Sequence, residues 1–406
     1  MRRIVRSIPA IGLAAIITVA GAQMAMADDA PAPTTAAITK VLQVPEGTAV
    51  PTATFTFDVT LVSVDGETAT EPAIGPIDIT IDGNATPAGT QDGVTTYFAE
   101  SGDILSGITF PHAGIYVYTV TEKSATNPTI DGDAYQSLTY SDASYTMTVY
   151  VVNDEDALEV NAAFVTSEGD KIDATPGTGD DHPYSEMAFT NTYVHTNGPE
   201  DSENPNPATE STLTISKNVA GNLASKEQQF NFSVTLSASK LATDVPEYYR
   251  AYLVDATGVI DPSNNCAASL LGQDTGNDQY TFIKVSTSDA TEFTLKHGQK
   301  LVFVDTPTGT SYEVSEITPT GYEPSLVVTT DAIVTGSIDV KAGETLASGQ
   351  QLVGESTNTA AFTNTRNLMT PTGISASAAP FVGFVGLVII GLAAYVLVKS
   401  RMRVNG

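Results

Sequence analysis

Three polar residue types occur in the same order in each half of the chain, at positions where the surrounding pattern otherwise has apolar side chains. The residues are Lys40, Glu122 and Asn191 in the first half, and Lys217, Glu316 and Asn364 in the second. Each lies in a stretch where apolar and polar residues alternate, and each takes an apolar position of that alternation. Because an isolated buried charge costs several kcal/mol or changes its protonation state, the repeated trio indicates one chemical purpose.

An amide bond between the lysine and the asparagine is the chemistry that these residue types permit. Burial favours a neutral lysine amine, which is a nucleophile, and a protonated glutamate. The acid would hydrogen-bond to the asparagine carbonyl and carry a proton to the departing ammonia. The alternative is that the lysines are solvated and the asparagines form turns just past their strands. In the second half, Glu313 alternates outward and is the weaker candidate acid.

The residues of each trio stand in blocks that recur across the two halves of the chain. The paired blocks are 38–42 and 213–219, 55–61 and 230–236, 118–122 and 312–316, and 188–192 and 361–365. Their period of two is typical of strands with one buried face, and segments such as 301–304 are assigned to strands by the same pattern. Clusters of Gly, Pro, Asn and Asp separate the blocks, and no strong helical period lies between the termini. The sequence therefore predicts an all-β fold of two tandem β-sandwiches.

Composition shifts give the predicted domain boundaries. Residues 195–210 are polar and proline-rich, which is typical of a linker. The N-terminal sandwich is predicted at 28–194 and the C-terminal sandwich at 211–367, with targeting segments at 1–27 and 368–406.

The first targeting segment has the pattern of a secretory signal peptide. Three arginines near the start precede an apolar stretch from 8 to 22 and a small-residue cleavage site ending at Ala27. A membrane anchor is the alternative, but the apolar stretch is short for a membrane span.

The second targeting segment combines a short motif, an apolar run and a basic tail. The motif is Met369, Thr370, Pro371, Thr372 and Gly373. The uncharged run 380–398 is long enough to cross a bilayer, and Lys399, Arg401 and Arg403 follow it. This order resembles the sorting signal of Gram-positive surface proteins, which sortase cuts between Thr and Gly. The alternative is an ordinary single-span anchor.

Composition excludes several other classes of protein and site. The 406 residues include 47 acidic and 18 basic side chains, and a net charge of −29 argues against nucleic-acid binding through bulk basic charge. A single cysteine, Cys266, excludes an intramolecular disulfide framework and a cysteine-rich metal site. None of the four histidines are three or four positions apart. The sequence therefore predicts neither a metal nor a cofactor.

The blocks and the two end signals together resemble Gram-positive backbone pilins with streptococcal-type isopeptide-linkage domains. The resemblance rests on Tyr-x-Tyr-Thr-Val-Thr-Glu at 116–122, Phe-Thr-Asn-Thr at 189–192, and the segments 293–299 and 310–316. It implies immunoglobulin-like sandwiches, autocatalytic Lys–Asn isopeptide bonds assisted by an acid, and covalent fibres built by sortase. For this chain it implies a Lys40–Asn191 bond assisted by Glu122. The matching C-terminal bond would join Lys217 to Asn364, assisted by Glu316.

The same resemblance supplies expectations for partners and location. The partners would be identical subunits, a sortase, minor pilins and a host surface ligand. The protein would be secreted, transiently anchored in the membrane, and then held at the cell wall. Similar pilins accept the next subunit on a lysine late in the N-terminal domain, which here favours Lys171 in a polar stretch predicted as a surface loop. A wall-anchored adhesin or a minor pilus subunit on the same scaffold is the alternative function.

Overall fold

The computed structural model describes residues 32–368 except 131–135, 156, 180–181, 196–204, 243, 275–279 and 342. The chain divides into two compact units, which we call the N-terminal and C-terminal domains. Strands dominate both, and the only helix among the described residues is the short 3-10 helix Ala268–Leu270. The all-β fold predicted from the alternating pattern is confirmed.

The N-terminal domain consists of two sheets. Its strands are β1 (Thr39–Pro45), β2 (Ala53–Val64), β3 (Glu67–Thr68), β4 (Ile77–Ile81), β5 (Pro87–Gln91), β6 (Val94–Glu100), β7 (Gly114–Asn127), β8 (Gln136–Thr139), β9 (Ser144–Asp154), β10 (Ala157–Ser167), β11 (Asp170–Ile172) and β12 (Ala188–His195). One sheet has the order β5-β6-β1-β12-β8, and we call it the lysine sheet because it carries Lys40. The other has the order β11-β10-β9-β7-β2-β3, with β4 also paired to β2, and we call it the acid sheet because it carries Glu122.

The C-terminal domain repeats this two-sheet plan. Its strands are β13 (Leu213–Ala220), β14 (Phe230–Ser237), β15 (Tyr248–Val254), β16 (Leu271–Gln273), β17 (Thr281–Ser286), β18 (Thr291–Leu295), β19 (Lys300–Phe303), β20 (Ser311–Ile317), β21 (Glu323–Thr330), β22 (Ile333–Asp339), β23 (Thr345–Ala347), β24 (Gln351–Leu352) and β25 (Thr359–Thr365). Its lysine sheet has the order β16-β17-β15-β19-β13-β25-β21-β22. Its acid sheet has the order β18-β14-β20-β23, with β24 also paired to β20.

The core of each domain lies between its two sheets. Along β14, and along β2 as far as Leu61, every second residue is buried, as the alternation predicts, so one face of each strand packs inward. Across the N-terminal core the rings of Phe57 and Phe189 are 4.9 Å apart, and across the C-terminal core those of Phe232 and Phe362 are 5.1 Å apart. Each pair joins an acid sheet to a lysine sheet. This is the face-to-face packing of a β-sandwich.

The first and last strands of each domain are parallel neighbours. Strand β1 pairs in parallel with β12, and β13 pairs in parallel with β25. Two parallel strands need a long connection, and here the whole remainder of each domain supplies it. The first and last strands of each domain are therefore hydrogen-bonded to each other.

Two details differ from the expectations drawn from the sequence. Strand β19 does not alternate, because Leu301, Val302 and Phe303 are all buried. Val302 belongs to a second apolar cluster with Tyr252 and Phe282, separate from the main C-terminal core. In addition, β12 continues to His195, one residue into the predicted linker.

Candidate functional site

The N-terminal trio is assembled by the parallel pairing of β1 and β12. In that ladder Lys40 is opposite Phe189, and Leu42 is opposite Asn191. Lys40 and Asn191 are thus offset by two positions, which puts both side chains on the same face of the lysine sheet. Glu122 reaches the same point from β7 of the acid sheet.

The three N-terminal side chains meet at one carboxylate oxygen. Lys40 Nζ donates a hydrogen bond to Glu122 Oε1 at 2.8 Å, and Asn191 Nδ2 donates to the same oxygen at 2.8 Å. The side chains of Lys40 and Glu122 are 0% exposed, and Asn191 is also fully buried. The reacting groups of the predicted cross-link are therefore together in a site without solvent contact.

The C-terminal trio has the same construction. Lys217 is opposite Phe362, and Val219 is opposite Asn364, so the two-position offset recurs between β13 and β25. Lys217 Nζ donates to both carboxylate oxygens of Glu316 at 2.8 Å. Asn364 Nδ2 donates to Glu316 Oε1 at 2.5 Å, and all three side chains are buried.

Aromatic rings cover both lysine amines. Lys40 Nζ lies 4.5 Å from the ring centroid of Phe55, and Lys217 Nζ lies 4.2 Å from that of Phe230. Burial lowers the pKa of Lys40 to about 8, although the neighbouring carboxylate of Glu122 opposes this shift. Burial lowers the pKa of Lys217 to about 8 in the same way. A much larger fraction of each amine is therefore neutral near pH 8 than for a solvated lysine.

Some contacts of the site were not foreseen from the sequence. The ring over each lysine belongs to a Phe-x-Phe pair, at 55–57 and 230–232, and that repeated pair was the available signal. The backbone N–H of Ser141 donates to Asn191 Oδ1 at 2.8 Å, and no pattern in the sequence indicates this contact.

The orientation of the asparagine amides corrects one expectation. The acid was expected to hydrogen-bond to the asparagine carbonyl. In the structure, Glu122 and Glu316 instead accept from the amide nitrogens of Asn191 and Asn364. Each acid therefore contacts the nitrogen that would leave as ammonia in the predicted reaction. Glu313 is exposed on β20, in agreement with its predicted outward position.

The other predicted residues lie away from the two trios. Lys171 is exposed, but it is in the edge strand β11 rather than in a loop, because the chain turns at Glu168 and Gly169, both with positive φ. Its Nζ lies 3.7 Å from the ring centroid of Phe164. Residues 369–373, the signal segment 1–27 and the apolar run 380–398 fall outside the described residues.

Three further observations concern thiol, metal and membrane features. Cys266 is a half-buried free thiol, and burial raises its pKa. Among the residues that the structure describes, no group of three or more His, Cys, Asp or Glu side chains is arranged to hold a metal ion. Within that same part of the chain, no helix has the length and apolar character required to cross a membrane.

Two family models match the chain, one for each domain. Residues 36–194 match the Spy0128-like isopeptide containing domain, and residues 211–366 match a domain of unknown function, DUF7601. A pilin of Streptococcus pyogenes serotype M1 is 25% identical over 302 residues, which cover 73% of this chain and 71% of that protein. Over most of its length the chain is therefore similar to a streptococcal pilin.

Two further similarities were found. The pilus tip adhesin Cpa of Streptococcus pyogenes is 30% identical over 163 residues, which cover 40% of this chain but only 18% of the adhesin. The crystal structure of the major pilin from Streptococcus pyogenes aligns with a TM-score of 0.32 and 20% identity, covering 82% of this chain and 99% of that one.

Proposed function

We propose that this protein is a pilin, the structural subunit of a covalent cell-surface fibre, and that one autocatalytic Lys–Asn isopeptide bond reinforces each domain. The observation that carries the proposal is the repeated geometry. In both domains a lysine and an asparagine, offset by two positions on parallel neighbouring strands, share one buried carboxylate from the facing sheet. A buried Lys–Glu pair often lowers the stability of a domain relative to apolar packing. Two such trios in the same register are therefore best explained by a shared chemical role.

The bond forms by amine attack on the asparagine carboxamide. Neutral Lys40 Nζ attacks Asn191 Cγ and forms the new C–N bond. Glu122, which is hydrogen-bonded to both nitrogens, takes a proton from Nζ and delivers it to Nδ2. The Cγ–Nδ2 bond breaks, and ammonia leaves. Glu316 serves Lys217 and Asn364 in the same way in the C-terminal domain.

This chemistry is a single event for each domain. The lysine and the asparagine are consumed, so the protein does not turn over a substrate and is not an enzyme in that sense. Holding the groups in contact supplies the effective concentration that an unreactive amide requires. Removing both charges of the Lys–Glu pair from the core adds driving force, since a buried ion pair is costly to maintain.

Fibre assembly rests on the two end segments and one surface lysine. Sortase would cut the motif at 369–373 between Thr372 and Gly373 and join Thr372 to a lysine of the next identical subunit. Lys171 is our candidate acceptor, because it is exposed on an edge strand. The signal segment 1–27 would direct export, and the apolar run 380–398 would hold the chain in the membrane until sortase acts. Minor pilins and a host surface ligand complete the proposed partners.

Mass spectrometry and blotting test the two parts of the proposal separately. The mature protein should weigh two ammonia molecules less than its sequence. Glu122→Ala should abolish only the N-terminal loss, and Asn364→Ala only the C-terminal loss. An unmodified mass in the folded wild type contradicts the cross-links.

In the producing cell, wall extracts should show a high-mass ladder. Lys171→Arg keeps the charge but removes the primary amine, and should leave only wall-anchored monomer. An unchanged ladder would show that another lysine is the acceptor. The second candidate function, an adhesin on the same scaffold, is favoured by the similarity to the tip adhesin Cpa. It predicts a single wall-anchored species in place of a ladder.

A further inference from the structure

The two trios differ at the carbonyl oxygen of the asparagine. In the N-terminal domain Asn191 Oδ1 accepts a hydrogen bond from the backbone N–H of Ser141 at 2.8 Å. In the C-terminal domain Asn364 Oδ1 is buried without a hydrogen-bond partner among the described residues. The contacts of the amide nitrogens are equivalent, because each donates to the acid of its domain. Within the amide, the difference is therefore at the oxygen end. The lysines differ as well, because Lys40 Nζ donates to one oxygen of its acid and Lys217 Nζ donates to both.

The position of Ser141 follows from the strand order. Strand β8 is the neighbour of β12 in the lysine sheet, and Thr139 is opposite Thr192. Ser141 is two residues beyond Thr139, in the connection from β8 to β9. Its N–H therefore lies next to β12, the strand that carries Asn191. The Ser141 hydroxyl accepts from the N–H of Ala143 at 3.3 Å, which helps to fix the connection.

The connection is also held on its other side. Tyr145, at the start of β9, is buried and donates its hydroxyl to the carbonyl of Ala188 at 2.6 Å. Since Ala188 begins β12, both ends of the short connection are attached to the strand of Asn191. A donor held in place by packing needs no reorganisation when charge develops on its acceptor.

Charge develops on this oxygen when the cross-link forms. As Lys40 Nζ bonds to Asn191 Cγ, the electron pair of the C=O bond moves onto Oδ1 and produces a tetrahedral oxyanion. When the C=O bond re-forms, Nδ2 departs as ammonia with the proton that Nζ lost. Only Oδ1 carries the negative charge between these two steps, so a fixed donor at this oxygen stabilises the transition state more than the ground state.

We propose that the Ser141 backbone N–H is a catalytic oxyanion donor for the Lys40–Asn191 bond, and that the described residues of the C-terminal domain provide no counterpart. The N-terminal bond consequently forms faster than the Lys217–Asn364 bond. This inference rests on the proposed cross-linking function, and it adds an order to the two events. Removal of a single oxyanion donor typically slows an acyl transfer roughly 10²–10³-fold.

The test follows both bonds in the full mature chain during cell-free synthesis. Samples are quenched in denaturant at intervals, digested, and analysed for the two cross-linked peptides by mass spectrometry. Ser141→Pro removes the N–H, whereas the matched control Ser141→Ala keeps it and removes only the hydroxyl. We expect Ser141→Pro to slow the N-terminal bond roughly 10²–10³-fold, and Ser141→Ala to change it only a few-fold. The C-terminal bond should form at the wild-type rate in both variants.

Equal N-terminal rates in Ser141→Pro and Ser141→Ala would overturn the proposal. A wild-type C-terminal bond as fast as the N-terminal bond would overturn it as well, and that comparison needs no substitution. If proline disturbs folding, a backbone ester introduced at residue 141 removes the same N–H and keeps the side chain, with the same expected slowing. Absence of both bonds from the wild type would instead refute the proposed function.

Discussion

Truncation of the asparagine in each trio measures what the proposed bond contributes to stability. Asn191→Ala removes the acyl group but leaves the Lys40–Glu122 ion pair in the core. The wild-type bond would close a loop of roughly 150 residues, for which the chain-entropy model gives about 5 kcal/mol. Asn191→Ala also deprives the Ser141 N–H of its acceptor, which adds about 1–3 kcal/mol. Asn364→Ala has no such addition, because Asn364 Oδ1 has no described partner.

These free energies convert into large thermal shifts. For a domain of this size 1 kcal/mol corresponds to about 2–4 °C, so loss of about 5 kcal/mol lowers Tm by roughly 10–20 °C. Scanning calorimetry of the mature protein should show the transition of one domain moving in Asn191→Ala and that of the other in Asn364→Ala. The shift in Asn191→Ala should be the larger of the two.

Asn218→Ala is the matched control for this experiment. Asn218 is next to Lys217 on β13, but it is exposed and outside the trio. Its truncation should move neither transition by more than about 2 °C, since surface substitutions usually stay within 0.5 kcal/mol. The reasoning fails if the asparagine variants of the two trios shift Tm no more than this control while mass spectrometry shows both bonds in the wild type.

Three further predictions concern titration, extension and thiol reactivity. The free Lys40 amine has its pKa lowered from 10.5 to about 8 by burial, and Asn191→Ala should keep this amine free and buried. The unfolded chain of that variant then binds more protons between these pH values, so its stability should rise with pH across that window. Denaturant titrations should lose this rise when Lys40→Met is added, and its persistence would assign it to other groups. When the mature protein is pulled from its two ends, unfolding of the N-terminal domain in Asn191→Ala should lengthen the chain by roughly 150 residues, about 50 nm at ~3.3–3.6 Å per residue. An unfolding step of that length in the wild type would contradict the cross-link. Burial raises the pKa of Cys266, so its thiol should react with a disulfide reagent much more slowly in native than in denatured protein, and equal rates would refute this.

The strands and both trios were predictable because one pattern encodes them. Alternation with period two assigns each side chain to a face, and Lys40 and Glu316 occupy inward positions of their strands in the sequence and in the structure. The recurrence of the trio in a second half indicated one chemical purpose, whereas a single lysine at an inward position could have been a strand end that reaches solvent. Which lysine would join which asparagine was implied by the resemblance to isopeptide-linkage domains.

Contacts made by backbone groups across long sequence separations were not predictable. Ser141 reaches Asn191 only because β8 is next to β12, and strand order in a sheet has no local signature. The direction of each asparagine amide depends on which donors surround it, so it could not be derived either. The burial of Val302 was not predictable either, because alternation does not reveal a second apolar cluster on the other side of a sheet.

The parallel pairing of first and last strands also bears on survival after backbone cleavage. A bond between Lys40 and Asn191 turns nearly the whole N-terminal domain into a closed covalent ring. A protease that cuts one peptide bond in any loop of that ring opens it, but both fragments remain joined through the isopeptide bond. The same holds between Lys217 and Asn364 in the C-terminal domain. In a fibre exposed to extracellular proteases, a single nick in either ring would leave the filament continuous, and only the short segments outside the rings would be points of scission.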